Sequence, residues 1–182
     1  MRLLEIDMPN DNLITSLDLI KQFAERKESE NFRFRTHVKF KINLADRELD
    51  AVVRKTTDEV WSQIDCTTCA HCCKTLHPVL DREDIDRLAQ RLGMSAKKFE
   101  QEYLMRDGGG VKVIKRAPCP FLNDNKCSVY EDRPKACKDF PYLHSDGFRQ
   151  RMLGVIENTA TCPIVFNTFE ELKKRLGFRK RR

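Results

Sequence analysis

Cys66, Cys69, Cys72 and Cys73 crowd into one short run with the spacing C-x2-C-x2-C-C. Cys119, Cys127, Cys137 and Cys162 are spread over the second half of the chain. A reduced chain seldom crowds thiols this closely unless a metal neutralises their thiolates. Two intervening residues let a tight loop aim two sulfurs at one point, and a single C-x2-C is the usual half-site for tetrahedral zinc. Three cysteines in C-x2-C-x2-C wrap around a larger object. Bacterial-type ferredoxins use that run for an iron–sulfur cluster, with a further cysteine followed by proline. Cys119-Pro120 and Cys162-Pro163 both supply that dipeptide.

Cys73 departs from the ferredoxin pattern. Side chains of neighbouring residues diverge in helix and strand alike, so Cys72 and Cys73 are not expected to chelate one small ion together. Either they serve two metals, or one is a ligand and the other lies in the core or acts in chemistry. His71, His77 and His144 could each replace a thiolate, but a hydrogen-bonded or solvent-facing role is the plainer expectation. Asp139, Tyr130 and Tyr142 lie near Cys137 in sequence, and no Cys-His or Ser-His-Asp spacing accompanies them.

These side chains need elements to position them. Residues 11–27 carry a helical stripe of Leu13, Ile14, Leu17 and Ile20. Residues 32–44 fit two periods: Phe32, Phe34, Val38, Phe40, Ile42 and Leu44 alternate with polar residues, while Phe34, Val38 and Ile42 fit i, i+4. Residues 46–64 predict a helix leading into the cysteine run, with Trp61 in the core. Asp81 is an N-cap for a helix over 82–92, with Asp84 at N3, where its short side chain weakens a capping box. Leu80 can staple onto Ile85, and Gly93 stops the helix. Ser95 caps a second helix over 96–105, stapled by Met94 and Phe99. Together these two helices would bridge the cysteine groups.

Gly108-Gly109-Gly110 is a turn; it lacks the Lys-Ser/Thr of a phosphate loop. Val111 and Val113 suggest a short strand, Phe121 to Tyr130 a hairpin turning at Asn123-Asp124-Asn125, and Arg133-Pro134 a helical turn carrying Cys137. Thr168 and Glu171 suggest a capping box for a last helix that Gly177 ends. The expected fold is mainly α with a small β hairpin (α+β) around an irregular, cysteine-rich metal-binding core. Residues 1–65 form an N-terminal helical segment, 66–165 the cysteine-cluster domain, and 166–182 a C-terminal helix and basic tail.

Composition fits a metal-supported core: 40% of residues are apolar and 34% charged, a thin basis for burial alone. The N-terminus turns acidic at Glu5 and Asp7 before any apolar run, so a cytoplasmic location without membrane insertion is expected, and disulfides are the weaker use of the cysteines. Net charge is +6. Arg33, Arg35, Lys39 and Lys41 form one basic stretch, interleaved with Phe32, Phe34 and Phe40. Lys173, Lys174, Arg175, Arg179, Lys180, Arg181 and Arg182 form the other. Solvated charge is their expected role, and a footprint for nucleic acid or an acidic partner is the alternative.

The ordered motifs Cys66-Thr-Thr-Cys69-Ala-His-Cys72-Cys73, Cys119-Pro-Phe-Leu, Cys127-Ser-Val-Tyr-Glu-Asp-Arg-Pro, Cys137-Lys-Asp-Phe-Pro and Cys162-Pro resemble the YkgJ-type cysteine-cluster family. That family is also called the CxxCxxCC, or zinc- or iron-chelating, domain. The resemblance covers about residues 66–165. Lys138 departs from the arginine common there. It implies metal binding by Cys66, Cys69, Cys72, Cys73, Cys119, Cys127, Cys137 and Cys162. Family members are often described as iron–sulfur proteins, and flagellin lysine methylases contain a similar domain. Three functions follow as expectations. The first is an iron–sulfur protein in redox or electron-transfer chemistry with a redox or protein partner. The second is a structural zinc module presenting a basic surface to nucleic acid or protein. The third, a methyl-transfer enzyme, rests on the resemblance alone, because no glycine-rich cofactor loop is visible.

Overall fold

The segment that fits two periodicities is a helix. A computed structural model describes residues 13–179, apart from the side chains of Thr67 and Thr68; residues 11 and 12 of the first stripe and Lys180, Arg181 and Arg182 lie outside the described residues. Helix α2 (Glu28–Phe40) buries Asn31, Phe34 and Val38. It leaves Phe40 81% exposed. Phe34 selects the helical period because its partners lie on one side: it meets Phe169 edge-on at 5.1 Å and Phe178 at 5.3 Å. Such aromatic pairs add about 1 kcal/mol beyond burial.

The following helix α3 (Asp46–Trp61) matches the stripe read from sequence, whereas the preceding helix α1 (Leu17–Arg26) starts later than expected and leaves Leu13 and Ile14 in the non-helical stretch before it. Trp61 is only partly buried, against the main core. That core joins Phe34, Leu49, Val53, Phe148, Met152 and Phe169. The last three belong to α9 (Phe148–Asn158) and α10 (Pro163–Arg175). Helices on both sides of the cysteine run therefore share one core. A small cluster of Ile14, Ile20, Phe23 and Phe166 ties α1 to α10.

Helix α9 has no cap of its own. Its N-cap is Gly147, at φ +76°. Asp50 of α3 supplies the missing acceptor: its carboxylate takes the N–H groups of Gly147 and Phe148 at 2.8 and 2.9 Å. The start of α10 corrects the expected capping box at Thr168 and Glu171. Cys162 is the N-cap and Pro163 opens the helix, where its fixed φ suits the first turn. Thr168 is fully buried mid-helix, and its hydroxyl has no hydrogen-bond partner.

A second core gathers Leu80, Ile85, Leu88, Phe99, Ile114 and Phe121. It is built on α6 (Arg82–Arg91) and α7 (Ala96–Tyr103), both capped as expected by Asp81 and Ser95. The Asp81–Asp84 capping box is reciprocal despite the short Asp84 side chain. β1 (Leu104–Arg106) pairs antiparallel with β2 (Lys112–Ile114), with Leu104 opposite Ile114; the glycine turn connects them. β3 (Leu122–Asn123) pairs with β4 (Lys126–Cys127). Asp124 and Asn125 both have positive φ, as a two-residue I′ turn requires. The architecture is mainly α with two small antiparallel strand pairs. No helix among the described residues is long and apolar enough to cross a membrane.

Part of the basic C-terminal stretch is internal. Lys173 is 3% exposed. It pairs with Glu30 and Glu170 and donates to Asn31 at 2.6 Å, while Lys27 also pairs with Glu170. Arg175 bridges Glu59 and Glu171. These cations join helices rather than forming a free surface. Removing one partner of a buried ion pair strands the other charge, at a cost of about 3–5 kcal/mol. Lys173→Met is therefore expected to lower stability by about that amount in urea unfolding of the full chain. An unchanged midpoint would show the network to be energetically idle.

Candidate metal centre

Two short helical turns carry the cysteine run: α4 (Cys66–Cys69) and α5 (His71–Thr75). Ile64, buried in the main core, fixes where the run leaves α3. Ala70 joins the turns in the left-handed conformation, φ +47°, which costs an L-residue about 1 kcal/mol. Between them the chain changes direction. Cys72 and Cys73 then follow in one turn with their thiols hydrogen-bonded to each other.

The remote cysteines come to this run by separate routes. The Cys119 N–H donates to the Cys73 carbonyl at 2.8 Å. Its own carbonyl accepts from Leu122 at 3.0 Å, and Leu122 faces Cys127 across the β3–β4 pair. Backbone bonds thus chain Cys73, Cys119 and Cys127 together beside the second core. Cys137 sits on α8 (Lys135–Asp139). Cys162 lies instead in the main core, its N–H bonded to Asn158 O at 2.9 Å.

Electrostatics sorts most of the thiols into two groups. Burial, then repulsion from Cys73, Cys119 and Cys127, pushes the Cys137 thiol up to about 12. Burial, Cys73 and Cys127 push Cys119 up to about 11, and burial and Cys73 raise Cys127. On the other side, burial, Cys66 and Cys69 push Cys162 up to about 11. Burial, Cys69 and Asp65 raise Cys66. Cys72 is raised by its hydrogen bond to Cys73, by burial, and by Cys73 and Cys162. Cys73 is lowered by the same thiol bond. One group is therefore Cys66, Cys69 and Cys162; the other is Cys73, Cys119, Cys127 and Cys137; Cys72 interacts with both, with Cys73 first and then with Cys162. The two groups meet at Cys72–Cys73.

Both donor sets are all-sulfur, which suits thiophilic zinc and iron. The repulsion among the sulfurs is what a bound cation would reverse. Among the described residues, no three His, Cys, Asp or Glu donors are already spaced to hold an ion. His77 is bonded through Nδ1 to Ile114 O at 2.7 Å, and His144 through Nε2 to Asp58 at 2.7 Å. Both have partners away from the sulfurs. His71 falls between Cys69 and Cys72 in sequence, and burial and Lys74 lower its pKa.

Sequence reasoning placed Asp84 only in a helix cap. It is 2% exposed and works in two elements. Besides the Asp81 N–H, its carboxylate accepts the Lys135 N–H at 3.0 Å, the first residue of α8. It also pairs with Arg87, whose guanidinium donates to the Asp132 and Arg133 carbonyls, both at 3.2 Å. Asp84 therefore anchors the turn that presents Cys137. An aspartate at N3 in place of the usual Glu or Gln was the available signal, but nothing local connects it to residue 135. Loss of a supporting residue beyond the ligands typically weakens metal affinity by about 10–100-fold. Asp84→Ala is expected to weaken metal retention against a chelator within that range, with the loss confined to the Cys137 group. Retention equal to the unsubstituted chain would separate Asp84 from the metal centre.

The match to known families agrees with this geometry. Residues 65–163 match the CxxCxxCC family model, described as "Putative zinc- or iron-chelating domain". Comparison with curated proteins and with solved structures gave no match. The matched span holds both cysteine groups from Cys66 to Cys162, and the chain belongs to the CxxCxxCC family of zinc- or iron-chelating domains.

Proposed function

We propose that the chain holds two metal centres of four thiolates each, one on Cys66, Cys69, Cys72 and Cys162 and one on Cys73, Cys119, Cys127 and Cys137. The observation that supports this is that repulsion links Cys162 to Cys66 and Cys69 and links Cys137 to Cys73, Cys119 and Cys127, with Cys72 in reach of both Cys162 and Cys73. It gives adjacent Cys72 and Cys73 a reason to coexist: contrary to the divergence expected of neighbours, their thiols meet, and metal would draw them to different centres. Metal binding would draw each group together and release thiol protons, so part of its binding free energy is folding free energy.

The first group supports an iron–sulfur centre. It combines the C-x2-C-x2-C run with a remote cysteine followed by proline, Cys162-Pro163, the ligand pattern of bacterial-type clusters. Such a cluster supplies one-electron chemistry. A second centre separated from it by one peptide bond would offer a short path for the electron, so electron transfer to a protein partner is the role we favour. A second reading, zinc in the other group, is supported by Cys119 and Cys127 flanking a tight hairpin, a setting that suits a structural four-cysteine zinc site. Methyl transfer receives no support from the glycines, since Gly108-Gly109-Gly110 is the β1–β2 turn.

Serine substitution tests the partition, because serine keeps the size but is a poor ligand for thiophilic metals. Cys72→Ser and Cys162→Ser should lose the same share of metal, and the double variant no more than either alone. Cys73→Ser and Cys137→Ser should lose the complementary share. Iron, zinc and acid-labile sulfide per chain, in protein prepared without oxygen, are the readouts. Sulfide lost with Cys72→Ser supports the iron–sulfur reading of the first group. Equal loss of all metal from each single variant would contradict two centres.

A further inference from the structure

Away from the cysteines, a surface groove of about 350 Å³ runs between α1, α2 and α9. Ile156 lies buried at its base, and Phe32 and Leu153 stand 44% and 47% exposed along it. Glu25, Glu28 and Glu157 also line it, all exposed. Among the described residues, none of these three carboxylates is in an ion pair. Lys27, which falls between Glu25 and Glu28 in sequence, is engaged by Glu170 instead. A chain of net charge +6 thus gathers three unpaired negative charges around exposed apolar side chains.

We propose that this groove docks a basic amphipathic helix of a partner protein. Leucine-like side chains would fill the space beside Phe32, Leu153 and Ile156, and lysines or arginines would face the glutamates. Helix-in-groove recognition uses such an apolar face, and charge complementarity sets its orientation and speeds encounter. Phosphates would be repelled here, so nucleic acid does not fit. Residues 1–12 carry Glu5, Asp7 and Asp11 against one arginine, so that segment has the wrong sign. The groove reaches Ala160, two residues before Cys162. A docked helix would therefore lie against the segment that leads into Cys162.

The test uses the full metal-loaded chain and two fluorescent amphipathic peptides, one of leucine and lysine, the other of leucine and glutamate. Anisotropy should show binding of the lysine peptide, weakening as salt rises, and none of the glutamate peptide. Exposed ion pairs are individually weak, but reversing three charges removes the attractions and adds repulsion. The triple variant Glu25→Lys, Glu28→Lys, Glu157→Lys should therefore weaken binding on the order of tenfold or more. Leu153→Ser should weaken it as well, through the apolar face. Equal binding of both peptides, or unchanged affinity in the triple variant, would overturn the proposal. Sedimentation of the chain alone provides another check: a dimer that Glu157→Lys dissociates would assign the groove to a second copy and overturn it too.

Discussion

Sulfurs brought close together repel one another when ionised, and burial makes each harder to ionise. Six of the thiols in this chain, Cys66, Cys72, Cys119, Cys127, Cys137 and Cys162, meet that constraint at once. Burial and neighbouring thiols push Cys119, Cys137 and Cys162 well above an ordinary thiol: Cys73 and Cys127 act on Cys119, Cys73, Cys119 and Cys127 on Cys137, and Cys66 and Cys69 on Cys162. A fold that merely needed small buried side chains would gain nothing from such crowding. A cation in each proposed group would turn the repulsion into coordination, and the remaining structure can be understood as what brings the sulfurs together.

Two apolar cores share that task. The main core seats Cys162 at the N-cap of α10 and fixes the approach to Cys66 through Ile64. The second core supports Cys119 and Cys127, which pack against it. Asp84 then locks α6 to the turn bearing Cys137. The Cys72–Cys73 peptide is the seam between the groups. Each core thus delivers sulfurs to its own side of one short run, while α2, α3, α9 and α10 enclose the first.

Local chemistry made much of this legible. The cysteine motifs fixed the residues of interest, and the caps at Asp81 and Ser95 placed α6 and α7. Elements whose partners lie far away in sequence were not legible. Helix α9 starts at a glycine, and its capping carboxylate comes from Asp50. Thr168 and Glu171 have the spacing of a capping box, but Pro163 and the apolar run after it begin the helix earlier. Lys173 looks like solvated charge in a basic stretch until Glu30 and Glu170 close over it. The grouping of the sulfurs has the same character. Spacing leaves open which of Cys119 and Cys162 completes the run, and the repulsion of Cys162 by Cys66 and Cys69 arises only from tertiary packing.

The central claim is that one chain carries two separate centres. Native mass spectrometry of the full chain, purified without oxygen, measures this directly by weighing protein and metal together. The account predicts a mass above the polypeptide that corresponds to two centres, zinc ions or iron–sulfur clusters, with successive loss of one and then the other as chelator is added. A single centre of any composition, lost in one step, would contradict it.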